Sequence, residues 1–221
     1  MKTMNLLIAA SLLAAGAAQA DVAVTLDLGS TGAGAHVVVP MEKTLNGRFG
    51  VNYYRHTFSD TANAIDYDVT ARLRTIDALF DWYVIDNSAF HVTAGIVHNG
   101  NRATAVAKPG AAGYTINGKA YTAADVGTLS GTVDYQKAAP YLGIGWGNPL
   151  ANMRKWGFTA DLGAFYQGRA NSTLVSIGCT TSKAVCTQLV TDVAAENARF
   201  NETVRSFRVY PVARVAATFA F

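Results

Sequence analysis

The sequence predicts an all-β chain: an eight-stranded antiparallel transmembrane β-barrel with short periplasmic turns and long extracellular loops. Three observations carry this. After residue 20, segments of about ten residues alternate apolar with polar or small side chains, the pattern of a barrel strand. The connections between segments alternate short and long. The last segment runs to Phe221, a terminal aromatic of the kind that outer-membrane assembly machinery reads. Composition agrees with a folded chain. Of 221 residues, 50% are hydrophobic and 15% charged, whereas an average soluble domain carries about 25% charged residues. Disorder and coiled coil are therefore excluded. The net charge of +3 is spread along the chain without a basic block, so no nucleic-acid partner is expected.

Residues 1–20 read as a cleaved signal peptide, and 21–221 as the barrel domain. Lys2 supplies the positive start, Leu6–Ala18 the apolar stretch, and Ala18-Gln19-Ala20 the cleavage site. The residues from Asp21 to Pro40 supply two short strands, Val22–Leu28 and Ala35–Val39, joined across Gly29–Gly34. One long strand kinked at the glycines stays open as the alternative. In 48–57, Phe49, Val51 and Tyr53 face outward, and Arg48, Asn52, Tyr54 and His56 inward. The segment 70–84 fits with a bulge near Thr75 that turns Leu73 outward above it and Ile76, Phe80 and Trp82 outward below it. In 90–99, His91, Thr93 and Asn99 face inward. A further strand over 134–146 has a similar ambiguity of phase near Lys137. In 156–167, Asp161 and Phe165 face inward, with Trp156, Phe158, Leu162 and Tyr166 outward.

The final strand fixes which side is which. Arg208, Tyr210 and Arg214 share one face and Val209, Val215 and Phe219 the other. Arginine facing lipid at the bilayer midplane costs about 2–4 kcal/mol, so the arginine face is the lumen. The stretches 59–68, 100–131 and 169–203 read as the long loops, and Asn117-Gly118 as the turn of a hairpin within the second. All strands and no helices are expected.

The segment from Ala139 through Pro140, Tyr141, Gly143 and Gly145 to Trp146, followed by Trp156-Gly157-Phe158 through Asp161, Gly163 and Phe165 to Gly168, resembles the CarO-type outer-membrane proteins of Gram-negative bacteria. Ile116–Tyr121 is similar to that family's loop hairpin, and Tyr210-Pro211-Val212 to its final strand. The likeness spans 116–221 in order and spacing, and the first half in outline. It implies an eight-stranded outer-membrane barrel linked to uptake of small solutes, basic amino acids among them, and to carbapenem susceptibility. The loop carrying Cys179 and Cys186 departs from the family, and loops set substrate choice.

The inward set forms the expected site: a lumen charge network of Arg48, His56, Asp77, Asp81, His91, Asp161, Arg208 and Arg214, with Tyr141 and Tyr210 beside it. Two readings stay open. A paired network can plug an eight-stranded lumen, which is just wide enough for side chains. Alternatively, the charges select small solutes along a narrow polar path. Tyr53, Trp82, Trp146, Trp156, Tyr166 and Phe219 are expected at the membrane interfaces. Cys179 and Cys186 are the only cysteines, and in an oxidising compartment they pair.

The third class, an outer-leaflet lipid A-modifying enzyme, finds no His–Ser motif within one segment; His98 faces outward with no serine beside it in sequence, and a cross-strand partner stays open. His56-Thr57-Phe58-Ser59 has the wrong spacing, and no G-x-S-x-G, HExxH or phosphate loop occurs. No enzyme activity, cofactor or metal is expected. The expected partners are outer-membrane lipid and lipopolysaccharide, the barrel assembly machinery and small solutes, with the barrel a monomer.

Overall fold

The computed structural model describes residues 21–62, 65–108, 113–151 and 155–221. The signal peptide read at 1–20 lies outside them. The strands are β1 (Ala23–Gly29), β2 (Gly32–Glu42), β3 (Leu45–Ala62), β4 (Ile65–Trp82), β5 (Phe90–Asn99), β6 (Arg102–Ala107), β7 (Tyr114–Ile116), β8 (Lys119–Tyr121), β9 (Thr128–Asp134), β10 (Ala138–Trp146), β11 (Trp156–Tyr166), β12 (Asn171–Ile177) and β13 (Val209–Ala220). Two helices join them, α1 (Ala123–Val126) and α2 (Lys183–Val204).

Eight strands close a ring in the order β1-β2-β3-β4-β5-β10-β11-β13, every pair antiparallel. The ring closes where β1 pairs β13 from Ala23↔Ala220 to Gly29↔Arg214. Residues 21–40 give two strands joined by the tight turn Ser30-Thr31, so the hairpin reading holds over the single kinked strand. Gly32 sits at φ +102°, and a Cβ there would meet the Tyr53 carbonyl oxygen at 2.5 Å.

Alternation follows the pleat. In β10, Tyr141, Gly143 and Gly145 are on the buried face and Leu142, Ile144 and Trp146 on the exposed face. The outer surface is an apolar belt: Leu26, Leu28, Val51, Ile96, Leu142, Leu162 and Val215 are all exposed. Phe219 packs on Trp156 at 5.2 Å, and Phe90 on Trp146 at 6.5 Å, along the end where the short turns lie. The expected interface aromatics Tyr53, Trp82, Trp146, Trp156 and Tyr166 are all exposed. Among the described residues no helix is long and apolar enough to cross a membrane.

At the opposite end the wall continues as a taller sheet. β4 pairs β5 through Thr75–Trp82 and β6 through Tyr67–Arg72. β6 then pairs β9, and β9 pairs β12. The inner face of this extension carries a second apolar core. Tyr114, Ile116, Tyr121, Val126, Leu129, Leu189 and Val193 are buried together there, with Tyr67, Leu174 and Cys179 against them. The long connections are thus a folded cap.

Three expectations are corrected. The β3–β4 register runs unbroken from Leu45↔Trp82 to Ala62↔Ile65, so there is no bulge at Thr75, and Leu73 shares the inward parity of Thr75 and Asp77. The break lies in the neighbouring strand: Gly100 and Asn101 separate β5 from β6, and the Asn101 carboxamide oxygen accepts from the Arg74 amide. The segment 59–68 is mostly strand rather than loop. The segment 169–203 contains a long helix, α2, against the expectation of strands alone. Ser182 caps it by accepting from the Val185 amide.

Candidate functional site

The lumen holds two groups of the same composition, each with two aspartates, one arginine and one histidine. Inward parity on four strands places the first: Asp27 on β1, His36 on β2, Asp77 on β4 and Arg214 on β13. His36 Nδ1 lies 2.7 Å from Asp27 Oδ1, and its Nε2 3.1 Å from Asp77 Oδ2. Arg214 Nη2 donates to Asp77 Oδ2 at 2.9 Å, and its Nε lies 3.4 Å from Asp27 Oδ2. Asn52 Nδ2 donates to Asp77 as well, at 3.0 Å.

The second group is Arg48 on β3, Asp81 on β4, His91 on β5 and Asp161 on β11. Arg48 grips Asp161 with both terminal nitrogens, at 2.9 and 3.0 Å, the bidentate geometry guanidinium favours. Its Nη2 also donates to Asp81 Oδ1 at 3.1 Å. His91 Nε2 lies 3.1 Å from Asp161 Oδ1, and Thr93 Oγ1 donates to Asp81 at 2.7 Å. None of the eight charged or titratable residues is more than 4% exposed. Asp81, His91 and Asp161 offer three ligand atoms within 4.8 Å of one another, but the Arg48 guanidinium already bridges the two carboxylates.

Apolar packing closes the lumen toward the cap. Leu79, Val97, Ala139, Tyr141, Phe165 and Val212 are buried together, and Tyr210 stacks on Phe165 at 4.9 Å. Toward the short turns, Asn46 donates to Asn148 Oδ1 at 3.3 Å, and Ala23, Val38 and Ala220 pack with Leu150. Glycine marks how full the interior is. A Cβ on Gly145 would lie 2.3 Å from His91 Nε2, and one on Gly34 2.3 Å from Asn52 Oδ1. A cavity of about 730 Å³ lies outside the wall, among the outward side chains of Leu28, Ile144, Trp146, Leu162 and Val215.

Of the eight expected network residues, the structure brings together Arg48, Asp77, Asp81, His91, Asp161 and Arg214. His56 and Arg208 do not join them, which corrects that part of the expectation. His56 has the inward parity of Arg48 but sits above the closed ring, exposed and stacked between Tyr54 and Phe58. Arg208 precedes β13, is exposed, and donates through Nε to the Arg205 carbonyl. Asp27, His36 and Asn52 complete the network. Asn52 was already among the inward residues of 48–57; the signal for Asp27 and His36 was period-2 alternation in β1 and β2, whose inward positions include Thr25, Asp27, His36 and Val38.

The cap has its own polar node. Asp192 on α2 is 2% exposed and accepts from Tyr121 Oη, from Asn117 Nδ2 at 2.8 Å, from Lys119 Nζ at 3.1 Å and from Gln188 Nε2 at 3.2 Å. The Tyr121 hydroxyl and then the Asn117 amide hold the Asp192 carboxyl well below the usual carboxylate range. Burial, with Asp192 beside it, pushes the Tyr121 phenol up to about 12. Asn117 and Gly118 both have positive φ, forming the β7–β8 turn that presents Asn117 and Lys119 to Asp192. Cys179 and Cys186 form a disulfide across the start of α2.

No family model matches the chain, and no curated protein does. Solved structures do. A crystal structure of Acinetobacter baumannii CarO2 shares 20% identity, covering 91% of this chain and 99% of that one, with a TM-score of 0.56. A crystal structure of Acinetobacter baumannii CarO shares 21% identity, covering 90% and 97%, with a TM-score of 0.54. The chain has the CarO-type fold.

Proposed function

We propose that this CarO-type barrel resides in the bacterial outer membrane with its cap extracellular, that its lumen is closed at rest, and that it acts as a structural or interaction protein through its outer surface. A closed ring with an apolar belt satisfies its backbone internally, as a bilayer requires. Short turns at one end and long connections at the other match periplasmic and extracellular sides. The two buried Asp-Asp-Arg-His groups carry the closed-lumen reading. They fill the cross-section of an eight-stranded barrel, and moving a hydrated solute past them would unpair charges that sit away from water.

A second reading has one observation in its favour. Four carboxylates face two guanidiniums and two imidazoles in the lumen, so a lumen that opened would offer carboxylates to a cationic solute. The resemblance to CarO-type proteins points the same way, toward small basic solutes. Purified, refolded barrel in planar bilayers and in liposomes separates the two. The closed reading expects no steady conductance, and no swelling with lysine, glutamate or glycine. Swelling with lysine but not glutamate would replace it with the cation path. Release of the native protein by osmotic or high-salt washing would remove the membrane placement itself.

A further inference from the structure

The outward face of the cap-end wall carries a row of three arginines, two of them without a carboxylate partner among the described residues. Arg55 on β3 is the direct cross-strand partner of Arg72 on β4, and Arg72 is the direct partner of Arg102 on β6. Adjacent strands lie about 4.8 Å apart, so three guanidiniums are rooted side by side on one face. Like charges set directly opposite each other destabilise a sheet. All three residues are exposed. Arg102 has one partner, Asp134, at 3.6 Å. Among the described residues, Arg55 and Arg72 have no carboxylate within ion-pairing range. Together with Thr70 and Thr104, the three arginines line a depression of about 290 Å³.

The height of this row is set by its neighbours. On β3 the outward series runs Phe49, Val51, Tyr53, Arg55, Thr57, from the apolar belt through an aromatic to the arginine. On β4 it runs Phe80, Ala78, Ile76, Arg74, Arg72, Thr70. The row therefore begins where the apolar belt ends, about 7 Å per rank along each strand. The next rank is threonine on five consecutive strands: Thr57, Thr70, Thr104, Thr132 and Thr173 are cross-strand partners in turn. Apolar surface, then cations, then a rank of hydroxyls is the order that matches acyl chains, phosphates and sugars in a phosphorylated glycolipid.

We propose that Arg55, Arg72 and Arg102 form a binding site for the phosphorylated sugar headgroup of an outer-leaflet glycolipid, with the threonine rank against its saccharide. This rests on the extracellular placement of the cap proposed above. Guanidinium is suited to phosphate because it donates in a fixed fork. The anion would relieve the arginine–arginine repulsion that the bare sheet carries.

The test measures binding of the full refolded barrel in detergent by native mass spectrometry, with diphosphorylated lipid A, lipid A stripped of phosphate, phosphatidylglycerol and orthophosphate as probes. The triple variant Arg55→Ser, Arg72→Ser, Arg102→Ser is compared with a charge-matched control, Lys183→Ser, Arg199→Ser, Arg205→Ser on α2 and its C-cap. Both leave the lumen untouched, and retained heat-modifiability certifies the fold. Diphosphorylated lipid A should bind wild type and control alike, and the triple variant and the phosphate-free lipid about tenfold or more weakly. Equal binding by the triple variant would overturn the site. Phosphatidylglycerol binding as tightly, or millimolar orthophosphate displacing the lipid, would overturn the glycolipid as its ligand. Conductance plays no part in this readout, so a failed closed-lumen reading leaves the result standing, and the reverse.

Discussion

Asp161 and Arg214 face each other directly across the β11–β13 ladder, yet each takes its partners elsewhere. Arg214 reaches across the lumen to Asp77 on β4 and along the wall to Asp27 on the adjacent β1. Asp161 is held by Arg48 and His91. Adjacent positions on the wall thus belong to two separate charge groups, and each group ties together four strands. Such networks brace the barrel from inside, and they make its stability sensitive to single side chains.

Arg214→Ala should destabilise the folded barrel by about 3–5 kcal/mol, because it leaves Asp27 and Asp77 buried without the guanidinium that pairs them. The urea midpoint of the heat-modifiable band measures this. In a double-mutant cycle, Arg214→Ala with Asp77→Asn should be strongly non-additive. Arg214→Ala with Asp81→Asn, which share no partner, should add within about 0.5 kcal/mol. Strong coupling in the second cycle would merge the two groups into one.

Gly145→Ala should cost about 1–3 kcal/mol, the usual range for overpacking a filled interior. The added methyl would meet His91 Nε2 at 2.3 Å and Asp161 Oδ1 at 2.7 Å. Gly118→Ala is a useful contrast, since nothing lies within 4 Å of its Cβ and only its φ of +75° penalises the change. An unchanged Gly145→Ala barrel would mean that the lumen has room to spare.

The wall was legible in the sequence where an inward charge broke an apolar run. Asp161 and Arg214 fixed the parity of β11 and β13, and Arg48 that of β3. Parity gives the side but not the height, which is why His56 was assigned to the network although it stands above the ring. The cap was illegible for a different reason. Its strands β6, β9 and β12 extend a wall rather than cross a membrane, so they lack the apolar outward face that marked the others. In α2, Val185, Leu189 and Val193 recur at helical spacing after the Ser182 cap, a signal masked by the surrounding threonines. The arginine row needs three strands in register, Arg55↔Arg72↔Arg102, and no single segment reveals it.

The cap should have its own pH window. Asp192 has a folded pKa lowered from 3.8 by Tyr121, Asn117 and Lys119. Its contribution is therefore complete above the unfolded value and is lost as pH falls below about 4 toward the lowered one. Tyr121 is raised from 10.0 to about 12, so the alkaline loss falls between those values. Limited proteolysis should find the cap increasingly cleavable below pH 4 and above pH 10 while the barrel stays heat-modifiable. Asp192→Asn should be cleavable at neutral pH and flat through the acid range. A wild-type cap whose cleavage does not change below pH 4 would remove Asp192 as its anchor.

Reduction of the Cys179–Cys186 disulfide should loosen the cap and leave the barrel intact. The bond closes a ring that contains Ser182 and the first residues of α2 but no strand. Closing so short a loop removes unfolded-state entropy corresponding to about 2–3 kcal/mol in the chain-entropy model. That stabilisation acts where α2 begins, and Cys179 itself packs against the cap core beside Leu189 and Val193. Freed of the bond, the first turns of α2 should fray, and Leu189 and Asp192 should follow because they lie one and two turns further on. The barrel wall shares no residue with the ring, so heat-modifiability should not change. Protease added to reduced protein should therefore cut within 179–192 several times faster than in oxidised protein. An equal loss of heat-modifiability on reduction would mean that cap and barrel unfold as one unit.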